Sequence, residues 1–74
     1  MFRKLRLKRQ IKQIRKRIEE IERKRARSQA ALVEAILTHT TPNDDDVDFF
    51  NRFTAQIEEQ RNLLHQVQAE LDSL

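Results

Sequence analysis

Apolar residues recur alternately three and four positions apart in two runs separated by the chain's single proline. The first run holds Ile11, Ile14, Ile18 and Ile21, with Leu32 and Ile36 further on. The second holds Phe50, Phe53, Ile57, Leu64, Val67, Leu71 and Leu74. Such spacing draws a narrow stripe along a helix, which packs against another helix. A break between two stripes predicts an all-α fold: an antiparallel two-helix hairpin, coiled-coil-like, spanning residues 1–74 as one domain.

The first helix is expected over about residues 3–38, where Lys, Arg, Gln, Glu, Ala and Leu dominate. Glu19/Arg23 and Glu20/Lys24 are spaced as supporting i,i+4 pairs. The helix should fail in a turn at about 39–43, because β-branched residues cluster ahead of Pro42 and the residue before a proline leaves the α region. The second helix is expected over about 42–73, with Thr41 as N-cap, Pro42 as first residue, and Asp44, Asp45 and Asp46 complementing the positive end of its dipole. A calcium loop is a poor reading of these acids, since the central Gly and closing Glu are missing. With so short a turn, facing residues have numbers that total about 82: Ile36 near Val47, Leu32 near Phe50, Ile18 near Leu64. Residues 1–7 should project beyond the second helix. Arg25, Ser28 and Gln60 fall at seam positions where an apolar residue would pack better.

One seam is a thin core for 74 residues without a disulfide, and small scaffolds of this kind gain stability by associating. Near the turn both helices are over-apolar. Ala26, Ala30, Val33 and Leu37 form a second line on the first helix, and Phe49 lies off the stripe of the second. Dimerisation into a four-helix bundle is therefore expected, with Ala30, Val33, Leu37, Phe49 and Phe53 as the oligomer interface.

Charge adds a direction to the rod. Residues 1–27 hold thirteen Lys or Arg against three Glu, a net of +10, whereas residues 28–74 hold two Arg against nine acids, a net of −7. Folding the hairpin leaves a basic open end and an acidic tip, which favours a dimer with antiparallel long axes. Lys12, Arg15, Lys16, Arg17, Arg23 and Lys24 are positioned to meet phosphates or an acidic protein partner. Only Phe2 is aromatic within the basic region, so nothing there reads bases.

The chain has no Gly and no Cys. That excludes glycine-rich phosphate loops, disulfides and thiolate metal sites, and it fits a reducing, cytoplasmic setting. His39 and His65 lack a partner at metal-ligand spacing. Ser28 and Ser73 lack a base. No enzyme activity, cofactor or small-molecule substrate is expected. Neither a signal peptide nor a membrane-bound role is expected, since no long apolar stretch follows the basic start. The leading functional reading is a helical interaction and oligomerisation module acting as scaffold, adaptor or regulator; the alternative is a nucleic-acid-binding accessory protein. In outline alone the chain resembles small RNA-binding helical-hairpin dimers, without residues that carry over.

Overall fold

The computed structural model describes residues 2–74, and these form two α-helices and no strand. Helix α1 spans Phe2–Leu37 and helix α2 spans Asp44–Asp72. They pack against one another as a rod of 57 × 15 × 14 Å. The pair Glu22–Arg61, closed at 3.2 Å, fixes the antiparallel register within a residue of the expected one.

The core is the predicted seam. Leu7, Ile11, Ile14, Ile18 and Ile21 of α1 meet Ile57 and Val67 of α2, with Phe53, Leu64 and Leu71 partly buried beside them. Ile57 is the most deeply buried, at 1% exposure. Ser28 is buried and Arg25 and Gln60 are half-buried, so the polar seam positions do lie inside. Oε1 of Gln60 is enclosed and has no hydrogen-bond partner among the described residues.

Four details depart from the expected arrangement. Ile36 is 66% exposed and does not join the seam. The three-four rhythm continues 21, 25, 28, 32, 35, so Ala35 takes the inward place and Ile36 turns out onto a flank. Leu7 does not project but is buried at 4%, and Arg3 reaches Glu70 in an ion pair. Each end of this pair answers an unfavourable placement: α1 has no acid in its first turn, and α2 has no base in its last. The antiparallel packing sets cations at the positive end of one helix dipole beside acids at the negative end of the other. Glu19/Arg23 and Glu20/Lys24 do not close as ion pairs; among the described residues the acid–base contacts are the two that cross between helices.

The fourth departure is the cap. Asn43, not Thr41, caps α2, with extended backbone (ψ 133°) and a side-chain oxygen that accepts from the Asp45 N–H at 2.9 Å. Asparagine is the better N-cap, and the helix starts one residue after it. Pro42 therefore precedes the cap, and Asp44, Asp45 and Asp46 still fill the first turn. At the other side of the turn α1 ends in a Schellman motif. His39 adopts φ 57°, the Thr40 N–H donates to the Ala35 carbonyl and the His39 N–H donates to that of Ile36. A glycine would suit this left-handed position better, but the chain has none; the Thr38 and Thr40 hydroxyls donate to the last carbonyls instead.

Candidate interaction surface

Heptad spacing sorts the surface into an outward face on α1 and two flanks where the helices meet. One flank carries Glu22 and Arg61. Ile36 and Val47 each lie fourteen residues from one of that pair, so they belong to the same flank nearer the turn. The opposite flank carries a groove lined by Gln10, Gln13, Ile14, Arg17, Leu63 and Val67. Phe49 lies fourteen residues before Leu63 and so shares its side of α2.

Ala26, Gln29, Ala30, Val33, Glu34 and Leu37 line one continuous shallow surface, all of it on α1. Val33 is 46% and Leu37 74% exposed. With Ile36 beside them, they make an apolar area near the turn that the hairpin itself does not cover. Five residues were expected to form one oligomer interface, and the fold divides them. Ala30, Val33 and Leu37 share the outward face of α1. Phe49 points to the far flank, where its ring stacks on Phe53 with centroids 6.1 Å apart and the Arg52 guanidinium lies 5.8 Å from its centre. Phe53 itself packs against the core.

The six cations singled out from the sequence are all exposed. They do not form one cluster. Lys12, Arg15 and Lys16 border a shallow groove with Lys8, Ile11, Glu19, Gln68 and Leu71. Arg17 belongs to the Gln10–Leu63 flank. Arg23 lies seven residues before Ala30 and Lys16 fourteen before it, so the outward face of α1 is one strip that is basic toward the open end and apolar toward the turn. Sequence reasoning recognised both halves of the strip but missed that they are continuous and that Ile36 extends the apolar half; heptad phase carried that signal.

His39 and His65 are exposed; His39 lies in the turn and His65 on α2. Ser28 donates to the Lys24 carbonyl at 3.5 Å and Ser73 to that of Glu70 at 2.7 Å, so both hydroxyls are engaged with backbone. Among the described residues no group of three or more His, Cys, Asp or Glu is placed to hold a metal ion, and no helix is long and apolar enough to cross a membrane. No family model matches the chain, and no curated protein or solved structure shows a significant match to it.

Proposed function

We propose that the protein is a non-enzymatic helical interaction module that works by helix-on-helix docking, first of all with itself. The observation that carries this reading is the apolar surface of Val33, Ile36 and Leu37, which are 46%, 66% and 74% exposed on a single helix. A rod with so thin a core gains by covering that surface, and exposed contiguous apolar patches mark interaction sites. Sedimentation equilibrium from about 1 μM to about 1 mM is expected to show a monomer passing to a dimer while helicity rises. A helical chain that stays monomeric across that range removes self-association from the proposal.

The basic half of the same strip supports a second reading, contact with nucleic-acid phosphates. Lys12, Lys16 and Arg23 on the strip, with Lys8 and Arg15 on the adjoining flank, are exposed, and among the described residues none is engaged in an ion pair. Binding through them would be independent of sequence and would fall by orders of magnitude between about 50 and 200 mM salt. A gel shift with duplex DNA and structured RNA at both salts tests it. Replacing Arg15, Lys16 and Arg17 by Glu should abolish a shift that is truly of this kind, with circular dichroism unchanged.

A further inference from the structure

The apolar strip on α1 is self-complementary when reversed. Ala26, Ala30, Val33 and Leu37 are spaced four, three and four apart, the rhythm of a second seam on the outside of the helix. Run antiparallel against itself, this strip sets Ala26 opposite Leu37 and Ala30 opposite Val33. Each small residue then faces a large one, and layers interdigitate. Run parallel, it sets Leu37 on Leu37 and Ala26 on Ala26, which wedges the helices apart at one level and leaves a gap at another.

Charge also favours reversal. Arg27 and Glu34 lie on the rim beside Ala30 and Leu37; both are exposed, and among the described residues neither has an ion-pair partner within the hairpin. In the reversed arrangement Arg27 comes alongside the partner's Glu34, and Glu34 alongside the partner's Arg27. The acidic tip, with Asp44, Asp45 and Asp46 in the first turn of α2, comes level with the basic stretch at Arg23–Arg27 of the other copy. The parallel arrangement would instead bring like charges together.

We propose that this face is closed by a second copy of the chain, α1 lying antiparallel on the partner's α1 about an axis between Ala30 and Val33, with reciprocal Arg27–Glu34 pairs on the rim. This rests on the self-association reading and specifies its geometry. The overlap of the two α1 helices runs only from Ala26 to Leu37, roughly 18 Å of helix. An interface of that extent is at the small end for specific complexes, and a weak, micromolar dimer is expected.

The chain has no native cysteine, which makes cross-linking a direct readout. Ala26→Cys and Leu37→Cys alter positions that are exposed in the hairpin. Mixed and oxidised, the two variants are expected to form a heterodimeric disulfide, while each alone yields little. Arg27→Glu and Glu34→Arg should each raise the dimer dissociation constant by on the order of tenfold, by turning two attractions into repulsions. The chain carrying both should return to within about threefold of the original. Because the rim charges are solvent-exposed, circular dichroism should remain helical throughout. A dimer that links Ala26→Cys to itself overturns this arrangement and leaves the interaction module standing. A double variant no better than the singles overturns the ion pairs. A helical monomer at every concentration overturns the second copy as occupant and assigns the face to a different protein.

Discussion

Replacing Ile57 by alanine is expected to remove most of the folding free energy of the hairpin. Ile57 is 1% exposed and is the largest fully buried side chain. It sits at the height of Arg25 on α1 and belongs to the hydrophobic core. Truncating a buried isoleucine costs about 2–5 kcal/mol, the sum of lost transfer energy and the cavity left behind. A single hydrophobic core in a chain of this size rarely supplies more than roughly 3–5 kcal/mol. The variant should therefore lose cooperative urea unfolding and much of its helical signal at 25 °C. Leu71→Ala, at a half-buried position near the open end, should cost visibly less. A loss below about 1 kcal/mol for Ile57→Ala would mean that the seam does not hold the two helices together as described.

Val33→Asp is expected to dissociate the dimer without harming the hairpin. In the isolated chain Val33 is 46% exposed, so the aspartate has access to water and costs only a little helix propensity. In the reversed dimer the same position sits next to the two-fold axis, and both copies carry the change. Two carboxylates then enter an apolar layer together, each without a partner. Burial of an unpaired charge is costly enough that the dissociation constant should rise at least about a hundredfold, close to 2.7 kcal/mol. Sedimentation measures the shift, and circular dichroism at low concentration checks that the monomer keeps its fold. Unchanged dimerisation would place the interface elsewhere, the Phe49 and Leu63 flank being the next surface to probe.

The seam and the turn were legible because each rests on redundant signals. Four isoleucines at strict spacing, Ile11 to Ile21, leave one inward face for α1, and Pro42 with three aspartates leaves one place for a new helix. Single-residue choices were less legible. Ala35 and Ile36 are adjacent, and hydrophobicity alone prefers isoleucine inside; the phase carried forward from Ile21 through Ser28 decides for alanine. Thr41 and Asn43 both can cap, and the outcome turns on which side chain reaches a free N–H two residues on. The ion pairs escaped because local i,i+4 spacing is visible in sequence whereas Glu22–Arg61 needs the register of both helices. The same blindness put Phe49 on a face with Val33: both are apolar and near the turn, and only the helix phase separates their flanks. Partner chemistry was the least legible, since unpaired cations attract any polyanion and an apolar strip accepts any apolar helix.

The polar layer of Arg25, Ser28 and Gln60 has a consequence for motion. It divides the rod into a zipped portion, where Leu7 through Ile21 are buried, and a portion beyond Ser28 in which no apolar side chain of α1 is buried. Local opening is cheapest where few apolar contacts must be broken. Amide hydrogens of residues 29–37 should therefore exchange with solvent sooner than those of residues 11–21, the turn half breathing while the open half stays shut. The docking strip lies in the half that breathes, so binding there would quench that motion and part of the affinity would be spent on ordering it.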